Sequence, residues 1–167
     1  MSHIIRSLSS LLLLGTLLGS VVAQDPDAEA KARIEKAVQA TSLKFERSPS
    51  GKSLVLRFDH EGGRKQSVYV AIDPGHPTDM TMHTIYTHVW TGDRPPDAAT
   101  MQKVFGSVKK LGSFYLFTDS QGKWAIRFGV QFDVADLPAG LESGSAGVKA
   151  LEDTIRFVER VGEETDA

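Results

Sequence analysis

Histidine is the first residue type in this 167-residue chain whose chemistry invites a site, and five are present: His3, His60, His76, His83 and His88. A metal centre needs two or three such side chains converging with carboxylates. His83 and His88 stand five apart on a predicted strand, and an odd separation sends them to opposite faces. His60 and His76 fall in or beside two different turns. The spacing therefore predicts isolated histidines, exposed or held by one hydrogen bond, and no metal site.

Other chemistry-bearing patterns resolve in the same direction. Gly51-Lys52-Ser53 imitates the end of a phosphate-binding loop, but Glu46 stands where the first glycine belongs and a strand follows instead of a helix. Ser145 has Gly147 after it but Ser143 before it, so no nucleophile elbow is formed. The pairs Asp133/Asp136 and Asp25/Asp27 lack the remaining ligands of a calcium loop. With no cysteine, neither a disulfide, a thiolate site nor a lipid anchor is available. No catalytic residue and no cofactor is assigned, and the expectation is a protein that is not an enzyme.

The amino-terminal residues have the layout of a secretory signal: Arg6, an apolar run from Leu8 to Leu18, and Val21-Val22-Ala23 ahead of Gln24. Ser9, Ser10, Gly15, Thr16, Gly19 and Ser20 interrupt the run, which falls short of the roughly 20 apolar residues of a spanning helix. Cleavage after Ala23 predicts a bacterial periplasmic or secreted protein with no membrane span, one domain over 25–162 and an acidic tail over 163–167. Arg6 leaves with residues 1–23, so 18 Lys+Arg face 21 Asp+Glu and the formal net charge moves from −2 to −3. Nucleic-acid binding, which rests on a basic surface, is disfavoured.

The elements that would position any site follow from periodicity. Asp25-Pro26 supplies a cap and a first-turn proline for a helix carrying Ala30, Ile34, Ala37, Val38 and Thr41. From Leu43 the period becomes two: Leu43 and Phe45, then Leu54, Leu56 and Phe58, then after Gly62-Gly63 the run Val68, Val70 and Ile72, ended by Asp73-Pro74-Gly75-His76-Pro77. Met80 to Thr91 reads as a strand with Met82, Tyr86 and Trp90 in one register and Ile85 and Val89 in the other. Pro95-Pro96-Asp97 opens a second helix with the stripe Met101, Val104, Phe105, Val108 and Leu111, ended by Gly112. Ser113–Thr118 and Lys123–Phe132 form a hairpin in which Trp124, Ile126, Phe128, Val130 and Phe132 alternate with a face read as solvated, Ala125, Arg127, Gly129, Gln131 and Asp133. A Gly- and Ser-rich link over 139–147 leads to a last helix with Val148, Leu151, Ile155, Val158 and Val161 inward.

The order is α-β-β-β-β-α-β-β-α: an α+β domain, with an antiparallel sheet and helices mainly on one face. Phe58, Trp90, Phe105, Phe114, Trp124, Phe128 and Phe132 are accounted for as core. The opposite registers hold further apolar residues, Ala71 among them, and Val55, Tyr69, Ile85, Val89, Tyr115 and Phe117 are the expected partner-binding surface. A protein or peptide segment, or a second copy in a homodimer, is the expected occupant. The alternative is a carrier of a small ligand or lipid, with an apolar pocket around Trp90, Phe105 and Phe114.

The opening of the second helix (Pro96, Asp97, Ala98, Ala99, Met101), the run LGSFYL from Leu111 to Leu116, the strand WAIRF from Trp124 to Phe128 and a closing helix with Leu151, Ile155 and Val158 resemble the bacterial sensory-transduction-regulator family. The likeness spans residues 28–164. It implies a fold like that of the type III secretion chaperones and a non-enzymatic, often dimeric protein that acts by binding partners. It supplies no catalytic residues.

Overall fold

A computed structural model describes residues 26–73, 82–106, 111–119, 121–137 and 141–165. Three helices, α1 (Pro26–Ala40), α2 (Ala98–Gly106) and α3 (Ala146–Thr165), accompany six strands: β1 (Phe45–Arg47), β2 (Ser53–Asp59), β3 (Lys65–Ala71), β4 (Met82–Gly92), β5 (Ser113–Thr118) and β6 (Trp124–Asp133). The strands form one sheet in the order β1-β2-β3-β4-β6-β5, every pairing antiparallel. The α+β architecture and the order of elements agree with the periodicity of the sequence.

Local chemistry sets several boundaries. The Asp97 carboxylate accepts from Thr100 N at 2.8 Å and caps α2. Gly62 and Gly63 both take positive φ between β2 and β3, a conformation that costs any other residue a Cβ clash. Asp119 Oδ1 accepts from the backbone N of Gln121 and Lys123, closing the β5–β6 turn. The proline- and glycine-rich stop after Asp73, Val108 and part of the 139–147 link lie outside the described residues.

The core lies between one face of the sheet and the helices. Leu54, Leu56, Val68, Val70, Ile85, Ile126 and Phe128 meet Ile34 and Val38 of α1, Val104 of α2 and Leu151, Ile155 and Val158 of α3. α3 packs across β4, β3 and β6, and α1 packs on α3. On the α2 side, the rings of Phe105, Phe114, Phe128 and Phe157 stand in sequence at 5.7, 5.1 and 5.9 Å.

Three sequence expectations are corrected here. Ile85 and Val89 belong to the core, at 0% and 1% exposure, not to the second face. Val70 pairs with Ile85 and Tyr69 with Tyr86, so the helix-facing register of β3 carries Ile85 inward and Tyr86 outward. A register shift between His88 and Trp90 then returns Trp90 to the core side, opposite Ile126. Glu163 and Glu164 do not begin a tail: α3 continues to Thr165, whose hydroxyl bonds back to Val161 O, and residues 166–167 lie outside the described ones. Leu111, expected in the α2 stripe, is 64% exposed.

Candidate functional site

Every strand contributes alternate residues to the face turned away from the helices. Val55, Tyr69, Tyr86, His88, Arg127, Tyr115 and Phe117 lie there, placed by the pairs Val55↔Tyr69, Tyr69↔Tyr86, His88↔Arg127 and Tyr115↔Arg127. Four of the six residues expected on this surface are therefore on it. Val55 is packed down to 5% exposure, Tyr69 and Phe117 are half-buried, and Tyr115 is exposed.

The centre of the face is an aromatic and cationic cluster. Tyr69 and Tyr86 stack at 5.0 Å with their planes 9° apart. His88 meets both edge-on, at 5.4 and 5.9 Å, and lies 6.0 Å from Phe117. The Arg127 guanidinium carbon stands 3.8 Å from the Phe117 ring centre and 4.4 Å from that of Tyr86. Arg127 Nε donates to His88 Nε2 at 3.1 Å, which requires a neutral imidazole accepting through that nitrogen. Burial, reinforced by the Arg127 cation, pushes His88 down to about 4 and keeps it neutral.

Tyr86, His88 and Arg127 are the residues that sequence reasoning missed. Arg127 stands on a face whose alternation predicts solvation, yet it is half-buried under rings, and its strand neighbour Ala125 is 5% exposed. The available signal was the tyrosine, histidine and threonine content of the even positions in 84–88, a composition that suits a partly wet face better than a core. A cleft of about 250 Å³ bordered by Lys65, Ser67, Tyr69, His88 and Trp90 extends the cluster toward one end of β3 and β4. Around Phe105 and Phe114, where an apolar carrier pocket was expected, ring packs on ring.

A second convergence is long-range in sequence. His60 at the end of β2 meets the i,i+4 pair Glu159 and Glu163 of α3: Nε2 lies 2.8 Å from Glu159 Oε1 and Nδ1 3.3 Å from Glu163 Oε1. One ligand atom from each lies within 4.8 Å of the others, the donor set that could hold a metal ion among the described residues, contrary to the spacing argument. Arg64 also pairs with Glu163, at 3.0 Å. Burial pushes the Glu159 carboxyl above the ordinary range, outweighing the opposing pull of His60. His83, by contrast, is fully buried on the helix side and within 2.9 Å of Ala71 O.

Compared with family models, with curated proteins and with solved structures, the chain matches none of them.

Proposed function

We propose that this chain is an exported, non-enzymatic binding module, of the sensory-transduction-regulator type, that holds a protein or peptide segment on the helix-free face of its sheet. The supporting observation is the cluster of Tyr69, Tyr86, His88, Phe117 and Arg127, which gathers four rings and a guanidinium on a face that the three described helices do not cover. Tyrosine and arginine are the residue types that dominate binding energy at protein interfaces, since they bring large contact area with few rotatable bonds or a planar donor fork. Export rests on the pattern of Arg6, Leu8–Leu18 and Val21-Val22-Ala23.

The test is position-specific crosslinking of the full chain in a bacterial host. A photoreactive side chain at Phe117 or Tyr86 is expected to give a discrete adduct, suppressed by a Tyr69→Asp change. The same probe at Arg57, at the β1 side of the face, is expected to give none. Mass spectrometry reads the adduct and is expected to find a mature chain beginning at Gln24. Absence of an adduct at both central positions overturns the reading.

A further inference from the structure

Arg127 is a half-buried cation with no carboxylate against it among the described residues. Ion pairs are made by Arg47 with Glu35, Arg57 with Glu46, Arg64 with Glu163 and Arg156 with Glu152, all at the surface. Arg127 instead has two rings and a neutral histidine. The ring faces offset part of its desolvation, which holds the guanidinium in place without neutralising it. With Nε committed to His88, the two Nη groups carry the remaining four N–H donors of the fork. A planar, partly desolvated fork fixed by its neighbours is preorganised for a bidentate oxyanion, and an Arg–carboxylate pair in such surroundings is stronger than one in water.

We propose that Arg127 is the carboxylate subsite of the open face: the bound segment presents an Asp, Glu or C-terminal carboxylate to it, flanked by apolar side chains against Tyr86, Tyr115 and Phe117. This rests on the reading of the open face as a binding surface and names the chemistry of its partner. A carboxylate is favoured over a phospholipid surface on charge. Membrane-surface attraction is built from clusters of four or more cations. Here one cation lies among rings, Arg57 is paired to Glu46, and the chain carries net negative charge.

Spacing of two along an extended chain puts alternate side chains on one side, so the pentapeptide acetyl-Phe-Ala-Glu-Ala-Phe-amide presents ring, carboxylate, ring to the sheet. Titrating it into the isotopically labelled protein, with the Gln analogue alongside, reads binding from the Arg127 Nε–H and the Tyr86, His88 and Phe117 signals. The Glu peptide is expected to bind at least tenfold more tightly than the Gln peptide, with an affinity that falls as sodium chloride is raised. Arg127→Gln is expected to remove the difference, and Arg127→Lys, which keeps the cation and loses the fork, to reduce it. Should the Gln variant fail to fold, the salt dependence of the two peptides on the unaltered protein decides the matter. Equal binding of the two peptides overturns the carboxylate subsite and leaves the open-face reading standing. Binding of neither overturns the subsite as well, while the crosslink at Phe117 judges the face independently. Capture on phosphatidylglycerol vesicles that Arg127→Gln abolishes overturns it in favour of a lipid phosphate.

Discussion

His88 couples the open face to pH. Its imidazole sits between two tyrosine edges and accepts from Arg127, and the folded chain holds it down to about 4 against an ordinary value of 6.5. Above about pH 6.5 both folded and unfolded forms are neutral, so the stabilisation is fully present. As pH falls toward about 4 the unfolded chain binds a proton that the folded chain refuses, and stability drops by at most about 1.4 kcal/mol per pH unit. Urea denaturation between pH 4 and 7 is expected to show this slope, and His88→Gln to flatten it; an unchanged slope in the variant would locate the proton uptake elsewhere. Glu159 runs in the opposite sense. Its carboxyl is raised by burial, so the stability it contributes is present below the ordinary carboxylate range and is lost as pH rises through the folded value. Glu159→Gln is therefore expected to raise the Tm at pH 7, with the gain gone by pH 4; a loss of stability at pH 7 would mean that the His60 contact outweighs the desolvation.

At the scale of elements, α3 approaches the sheet closely at Gly162. A Cβ placed on Gly162 would come within 2.5 Å of Gln66 Nε2 and 3.0 Å of Thr87 Cγ2. Gln66 has no room to retreat, because its amide donates to Thr87 Oγ1 and, at 3.2 Å, to His88 O, while Thr87 donates to Ser67 O at 2.8 Å. Gly162→Ala gains up to about 1 kcal/mol of helix propensity but overpacks a buried polar network, which costs about 1–3 kcal/mol. Net destabilisation by chemical denaturation is expected, whereas a more stable variant would show that α3 can slide. Ile155→Ala, two turns earlier on the same stripe and fully buried, is expected to cost about 2–5 kcal/mol. This stripe was legible because a helix that crosses a sheet must repeat its apolar residues at 3.6, and Val148, Leu151, Ile155, Val158 and Val161 do so. For β4 the strand was legible but its inward face was not, because both of its registers carry residues that suit a strand: Ile85 and Val89 in one, Tyr86 and Trp90 in the other. Which set turns inward is decided by pairing with Val70 and by the shift after His88, both long-range facts absent from local spacing. The same limit hid Arg127 beneath its rings and His60 beside Glu159 and Glu163, since neither partner set is near in sequence.

For the molecule as a whole, the two edges of the sheet are managed differently. At one edge β1 is three residues long and carries charge, with Glu46 paired to Arg57 and Arg47 to Glu35, features that discourage pairing with another chain. At the other edge β5 is bonded only to β6, and its six residues, Ser113–Thr118, hold no charge and no proline. The large hydrophobic residues exposed among the described ones gather there: Tyr115 and Leu116 on the strand, Leu111 just before it, and Phe105 on α2, in ring contact with Phe114 of the strand. An unguarded apolar edge is a template for strand addition and, at high concentration, for association. Light scattering of the protein across a concentration series is expected to show association that Leu116→Lys suppresses, at a stability cost of about 1 kcal/mol because the side chain is already 40% exposed. Glu46→Lys at the β1 edge is expected to leave association unchanged, since that edge is too short to template a partner strand. If the Leu116 variant associates as strongly as the parent, the sticky surface is the open face and not the edge, and the Tyr69→Asp variant should then be the one that disperses it.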